Sequence, residues 1–301
     1  MPSKANDPLE RLVFVTTEDG LELEGLLITP QPGRGSGPLV IWVHGMHRRF
    51  SQREFVEIGR HVARLGLPFL AVNTRGHDLG AWFRTPKGFL LGGTAWEQFI
   101  DSPFDIAAWT ELARKEGFKN YVLVGVGYGA PKVVFYQVQR QDRHTAGCVF
   151  ASSGTIVRDK ITDLAPAETT ALAKRMIAEG RGQELMAMGA VKDSFGSTVS
   201  AQVYADRARI HREFYGEAGD RPPALAQIRQ PIFVLYGGLA ETRERPLQDF
   251  IERIRRTAVQ SPEVKAKIIE GASNTFVGFE AAAAREICGW ISQTLSLPKA
   301  V

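Results

Sequence analysis

Seven residues that can transfer protons or bind anions follow short apolar segments of this chain. They are His44, His47, Arg48, Arg75, His77, Asp78 and Tyr128. Histidine changes its charge near neutral pH, and arginine holds carboxylates through a rigid fork of donors. Residues of these types, gathered in one pocket, would suit the binding of a small acidic molecule and proton transfer to or from it.

Each of these residues also has a structural interpretation. His44 could be a buried, hydrogen-bonded residue, and Arg75 with Asp78 could form an ion pair that holds a turn. His77 could lie on an exposed loop. Tyr128 could be a phenolic acid or base, or it could pack with its hydroxyl hydrogen-bonded. The aromatic segment from Trp82 to Phe99 is interpreted mainly as core packing, with one or two rings lining a cavity.

The elements that must position these residues alternate between strands and helices. The runs at 39–43, 69–72, 121–124, 148–151 and 231–236 are almost wholly apolar, as expected of strands covered on both faces. Segments with helical spacing lie between them, and a β-hairpin at 12–28 precedes them. The pattern predicts an α/β fold with a mostly parallel sheet and helices on both of its faces.

The alternation is interrupted between residues 155 and 225. Apolar residues there recur with helical spacing, and no convincing buried strand is present. We predict a helical lid inserted into the core, so that residues 1–154 and 226–301 form the two parts of one α/β core.

Five motifs occur in order along these elements. They are Val43-His44-Gly45-Met46, Asn73-Thr74-Arg75-Gly76-His77, Gly125-Val126-Gly127-Tyr128-Gly129, Tyr236-Gly237-Gly238-Leu239-Ala240 and Gly271-Ala272-Ser273-Asn274. Together they resemble the α/β-hydrolase superfamily, over roughly residues 12–295. The order of the last three is that of the nucleophile, acid and base of that superfamily.

The resemblance implies a degenerate catalytic triad. Gly127, Ala240 and Asn274 stand where the family has its serine, acid and histidine. Glycine cannot form an acyl-enzyme, alanine cannot orient an imidazolium, and asparagine cannot shuttle a proton near neutral pH. Glu241 is an alternative acid if the alignment is displaced by one residue.

The resemblance also implies that an oxyanion hole survives, because it is built from the backbone N–H groups of Met46 and Tyr128. His44, His77 and Tyr128 are then the candidate catalytic residues. The candidate substrate-binding residues are His47, Arg48, Arg75, Asp78, Glu241 and Asn274.

The composition narrows the remaining function classes. The net charge of +4 comes from scattered Lys and Arg residues, so nucleic-acid binding is not expected. No apolar segment is long enough to cross a bilayer and no signal peptide is recognised, so we predict a cytoplasmic protein.

No spacing of His, Cys, Asp or Glu residues suits a metal site, and no cofactor is expected. Cys148 and Cys288 lie in apolar runs and are predicted to be buried and inert. A homodimer is left open.

Three functions are consistent with this pattern. The first is a non-classical enzyme, such as a lyase, isomerase, cyclase or cofactor-free hydrolase, that acts on a small acyl- or carboxylate-type molecule through the oxyanion hole. The second is an inactive pseudo-hydrolase that serves as a ligand-binding or scaffold protein. The third is a conventional esterase whose triad is misassigned. Fold alone does not separate them, because function depends on the site.

Overall fold

The computed structural model describes residues 7–32, 37–153, 167–186, 198–215, 222–239 and 246–295. Ten strands lie in these ranges. They are β1 (Leu9–Thr16), β2 (Glu22–Thr29), β3 (Leu39–Val43), β4 (Phe69–Val72), β5 (Ala81–Thr85), β6 (Gly88–Gly92), β7 (Tyr121–Val126), β8 (Thr145–Ala151), β9 (Ile232–Gly237) and β10 (Val264–Ile269).

Eight of these strands form one mixed sheet in the order β1-β2-β4-β3-β7-β8-β9-β10. β1 and β2 pair as the predicted antiparallel hairpin, and β2 is also antiparallel to β4. All the other neighbours are parallel. The carboxyl ends of β4, β3 and β7 therefore meet at one edge of the sheet.

Seven α-helices lie in the described ranges. They are α1 (Arg53–Arg64), α2 (Ser102–Lys115), α3 (Gly129–Arg140), α4 (Ala167–Ala178), α5 (Ala201–Tyr215), α6 (Leu247–Thr257) and α7 (Glu280–Thr294). Short 3-10 helices occur at Phe99–Asp101 and Ala224–Gln227. None of the described helices is both long and apolar enough to span a bilayer.

Helices cover both faces of the sheet, as predicted. One core contains apolar side chains of α2, α3 and α6, and the other contains those of α1 and α7. Along β3, Leu39, Ile41 and Val43 enter the first core, while Val40 and Trp42 enter the second. This alternation explains why the whole strand is apolar, since neither face of it meets water.

The aromatic segment after β4 departs from the prediction. Residues 81–92 form a separate antiparallel hairpin, β5–β6. Phe83 and Phe99 are buried, but the side chains of Trp82 and Phe89 are 68% and 70% exposed. The interpretation as core packing was therefore wrong for Trp82 and Phe89, because no described residue covers that face of the two-stranded hairpin.

The described parts of the predicted insertion contain α4 and α5, which share a small apolar core of their own that includes Met176 and Tyr204. Ser200 N donates to Ala95 O (2.8 Å), and the Trp96 indole donates to Gln183 O (3.0 Å). Phe214 of α5 packs edge-on against Phe99. A lid function and domain boundaries at 154 and 225 stay predictions.

Candidate functional site

The turn between β7 and α3 carries Gly127. Its φ of +52° lies in the left-handed region, which glycine adopts at little cost. A Cβ built on Gly127 would meet nothing within 4 Å, so a side chain at this position would point into open space. α3 begins two residues later, at Gly129. Ala130 N donates back to Gly127 O at 3.2 Å and Pro131 has no N–H, so Gly129 carries the first N–H of the helix that this turn does not use.

Gly129 allows this turn to lie against the end of β3. A Cβ built on Gly129 would lie 2.4 Å from Val43 O and 2.6 Å from His44 O. A Cβ on Gly45 would likewise lie 3.3 Å from the Tyr128 nitrogen. The structure therefore brings together the two loops that carry the predicted oxyanion donors, Met46 and Tyr128.

The Met46 N–H makes no hydrogen bond within the described part of the chain. Met46 is half-buried, and Gly45 before it contacts the turn after β7. A half-buried donor without a partner usually binds water or a ligand. Met46 therefore stays the predicted oxyanion donor, on a loop that contacts the Gly127 turn.

His44 is completely buried, and both of its ring nitrogens are occupied. The Thr74 N–H donates to His44 Nε2 at 3.0 Å, which makes Nε2 an acceptor. The ring proton is therefore on Nδ1, which donates to Gly45 O at 2.8 Å. This arrangement matches the structural interpretation of His44 and leaves neither nitrogen to abstract a proton from a ligand.

Burial, and after it the nearby Lys132 charge, lowers the pKa of His44 to about 3. In the unfolded chain His44 takes up a proton near pH 6.5, whereas in the folded protein it stays neutral at that pH. The contribution of neutral His44 to the free energy of unfolding is thus fully present above pH 6.5 and is lost as the pH drops toward 3. We expect this histidine to contribute a slope of up to about 1.4 kcal/mol per pH unit.

The measurement is urea unfolding of the wild type and of His44→Asn between pH 4.5 and 7.5. The difference between their free energies of unfolding should shrink as the pH falls below 6.5. Two parallel curves would contradict a neutral, buried His44.

His77 lies on the adjacent loop and forms a pair with Asp78. Its Nδ1 lies 2.9 Å from Asp78 Oδ2, and its ring packs edge-on against Phe83. Arg49 Nη1 lies 3.8 Å from the other oxygen of Asp78. Asp78 therefore holds the Nδ1 atom of the half-buried His77 ring, and Nε2 is the ring nitrogen that this pair does not use.

The loop after β3 also carries His47 and Arg48. His47 has a φ of +58°, and its N–H donates to Thr94 Oγ1 at 2.9 Å. The Arg48 guanidinium lies 3.7 Å from Glu54, in a half-exposed pair, and Arg48 O accepts from Asp78 N at 3.2 Å. The last of these bonds joins this loop to the one that bears His77.

Arg75 does not reach this group of residues. Its buried guanidinium donates to Asp105 and Asp19 and lies 3.4 Å from Asp101. Burial lowers the pKa of Arg75, but the carboxylates of Asp105 and Asp19 outweigh that effect and raise it above its ordinary value. The predicted role in substrate binding is not supported, since these carboxylates occupy the donors that a ligand would need.

Tyr128 is half-buried beside the Gly127 turn. Its ring packs on Phe99 with 5.5 Å between centroids, and Lys132 Nζ lies 5.8 Å from the ring centroid. Phe99 also contacts Phe214 of α5, so this ring connects the site to the predicted insertion.

Sequence reasoning missed Lys132 and Glu97, a buried ion pair beneath the site. Lys132 Nζ donates to Glu97 Oε2 at 2.5 Å and to Thr74 Oγ1 at 3.0 Å. Both side chains are almost completely buried. The signal was a single charge within the apolar run Ala130-Pro131-Lys132-Val133-Val134, because a charged residue is rarely buried unless it is paired.

The predicted positions of the acid and the base lie farther along the sheet. Ala240 and Glu241 lie outside the described residues. Asn274 is exposed in the turn after β10, next to Ser273, whose carbonyl packs on Gly237. No hydrogen bond joins Asn274 to the other predicted site residues among those described. In the same part of the chain, no group of three His, Cys, Asp or Glu side chains could hold a metal.

The sheet order and the turn after β7 are those of the α/β-hydrolase fold. No protein-family model and no curated protein matches the sequence. Solved structures do match over nearly the whole chain. Est1E from Butyrivibrio proteoclasticus, with bound ferulic acid, has a TM-score of 0.64 at 15% identity, and the match covers 95% of this chain and all of that one.

Two further solved structures agree. The α/β-hydrolase GrgF from Penicillium sp. sh18 has a TM-score of 0.66 at 13% identity, with 96% of this chain and 100% of that one covered. The Pyrococcus furiosus esterase Pf2001 has a TM-score of 0.55 at 18% identity, with coverage of 95% and 92%. The chain therefore has the α/β-hydrolase fold, and esterases and hydrolases are among its structural neighbours.

Proposed function

We propose that this protein is a non-classical enzyme that binds a small acyl- or carboxylate-type molecule beside Gly127 and acts on it without a serine nucleophile. The observation that carries the proposal is the turn after β7. It has the positive φ and the open space of a site for a nucleophile, yet it presents only a hydrogen atom. No acyl-enzyme can form at such a residue.

The remaining groups suit recognition and proton transfer. The N–H groups of Met46 and of Gly129, the first residue of α3, provide backbone donors for a carboxylate or an enolate. The His77–Asp78 pair is the candidate acid or base, since Asp78 fixes the imidazole through Nδ1. Ferulic acid, the molecule bound to Est1E, is a small carboxylic acid of the kind proposed here.

A ligand-binding protein without chemistry is the second candidate. It is favoured by the structural roles of His44 and Arg75, which reduce the number of titratable groups facing the site. A conventional esterase is the weakest candidate. The Ser273 hydroxyl lies 3.4 Å from Thr275 Oγ1, which cannot activate it as a base would.

Two measurements test the proposal. We expect no labelling of the wild-type protein by a fluorophosphonate and negligible cleavage of p-nitrophenyl acetate, because both require an activated serine. In Gly127→Cys, the new thiol should react with iodoacetamide, and ferulate should slow that reaction in a saturable way. Cys148 and Cys288 give little background, since burial raises the pKa of each thiol to about 12.

Gly180→Cys is the matched control. Gly180 also has a positive φ, of +77°, and open space at its Cβ, but it lies at the end of α4. Ferulate should leave its alkylation unchanged, and the uncharged amide of ferulic acid should protect neither thiol. Stoichiometric labelling of a serine by the fluorophosphonate would overturn the proposal. So would equal protection of both thiols.

For an enzyme, His77→Gln should abolish turnover of a bound substrate and leave its affinity unchanged. Binding without turnover of any ligand would instead support the second candidate.

A further inference from the structure

A directional chain of hydrogen bonds runs from the buried Lys132 to the loop after β3. The Lys132 ammonium has only donors, so Thr74 Oγ1 accepts from it at 3.0 Å. The single Thr74 hydroxyl proton then points at His44 Nε2, 3.2 Å away, and shares this acceptor with the Thr74 N–H at 3.0 Å. The next hydrogen bond runs in the same direction, because His44 Nδ1–H donates to Gly45 O at 2.8 Å.

The last acceptor belongs to the peptide unit that carries the Met46 N–H. This peptide bond is trans, since the described chain contains no cis peptide bond. In a planar trans peptide, the C=O and the N–H point in opposite directions. Gly45 O also accepts from Arg48 N at 3.3 Å, so His44 and this turn together hold the peptide with its Met46 N–H directed away from the buried ring. Within the described residues this N–H has no acceptor.

A cation at the start of such a chain also changes its strength. Each hydrogen bond polarises the next one in a region of low dielectric constant. The Lys132 charge thus draws electron density along Thr74, His44 and the Gly45 carbonyl, which makes the Met46 N–H a stronger donor.

Stability alone does not account for the buried pair at the head of this chain. A buried ion pair contributes little net stability compared with apolar residues of the same size. Glu97 Oε1, moreover, is buried and has no hydrogen-bond partner in the described structure.

We propose that Lys132 is a positioning residue. Acting through Thr74 and His44, it orients and polarises the Met46 amide for a carboxylate bound beside Gly127. The proposal rests on the function proposed above, because it names what sets the strength of that anion site. Glu97 balances the Lys132 charge and holds the ammonium beneath the loop.

Thr74→Val tests the chain most directly. Valine has nearly the shape of threonine, so this variant breaks the link and keeps the Lys132–Glu97 pair. In the Gly127→Cys background, we expect the ferulate concentration that gives half-protection to rise about 5- to 10-fold, as for the loss of one charge-assisted hydrogen bond. Thr74→Ser keeps the hydroxyl and should restore protection.

Thr110→Val is the matched control. Thr110 is also fully buried, and its hydroxyl donates to Ala107 O at 3.0 Å, within α2. This variant loses a buried hydroxyl as well, but we expect its protection by ferulate to be unchanged. Equal protection in Thr74→Val and Thr110→Val would overturn the proposal.

A second measurement needs no ligand. In ¹⁵N NMR spectra of the wild type, His44 should be neutral with its proton on Nδ1. The Met46 amide signal should move in Thr74→Val and in Lys132→Met/Glu97→Gln, but not in Thr110→Val. A proton on Nε2, or an unmoved Met46 signal, would refute the chain. If ferulate protects no variant, the proposed function fails, while these spectra still decide the role of Lys132.

Discussion

Replacement of Arg75 by methionine is expected to lower the free energy of unfolding by about 3–5 kcal/mol. The side chain of Asp105 is 0% exposed, and its carboxylate accepts from Arg75 N at 2.8 Å and from Arg75 Nη2 at 2.9 Å. Methionine fills much of the same volume and keeps the backbone N–H bond, but its side chain supplies no donor and no charge. The variant would therefore leave a buried carboxylate without its counter-ion, which costs far more than the pair itself contributes.

The test is urea unfolding at pH 7 with Arg181→Met as the control. Arg181 pairs with Glu184 on the surface, where both side chains are about half exposed. Loss of that pair should cost less than about 1 kcal/mol. The double variant Arg75→Met/Asp105→Asn should recover part of the lost stability, because it removes the stranded charge. A cost for Arg75→Met as small as that for Arg181→Met would show that the pair is not desolvated.

Gly129→Ala is expected to lower the stability by about 1–3 kcal/mol and to abolish protection of Gly127→Cys by ferulate. The added methyl group would lie 2.4 Å from Val43 O, a backbone atom that no rotamer change can move. The start of α3 must then shift away from β3. Such a shift separates the Gly127 turn from the loop that carries Met46, and the two sets of donors no longer converge.

Gly289→Ala is the control for this substitution. Gly289 lies inside α7, and a Cβ there would meet nothing within 4 Å. Alanine should stabilise the protein by about 0.5–1 kcal/mol, because glycine is a poor residue in a helix interior. The two glycine-to-alanine changes should thus have opposite signs. If Gly129→Ala leaves the free energy of unfolding unchanged and ferulate still protects the thiol of Gly127→Cys in that variant, close contact between the two loops is not required.

Local patterns were sufficient to predict the scaffold. The apolar run at 39–43 predicted a strand covered on both faces, and β3 is buried throughout. The same applies to β4, β7 and β9, and a mostly parallel sheet followed from the alternation of such runs with helical segments. Gly127 was predicted at a strand–helix turn, and the structure places it there with a positive φ.

Local sequence patterns did not predict which side chains are buried in a hairpin that packs on the core with only one face. The aromatic residues at 82–99 have the composition of a core, but Trp82 and Phe89 point into solvent from β5–β6. Composition indicates which residues would gain from burial. It does not indicate whether another layer is present to bury them.

The sequence by itself determined the α/β architecture, the order of the site loops along one edge of the sheet and the glycine at the turn after β7. Only the tertiary structure decided what each polar side chain does. Arg75 meets Asp105 across 30 positions of the chain, and Lys132 meets Thr74 across 58. The physical reason is that strand and helix periodicity arises from neighbouring residues, whereas the role of a buried charge depends on partners that only folding brings near.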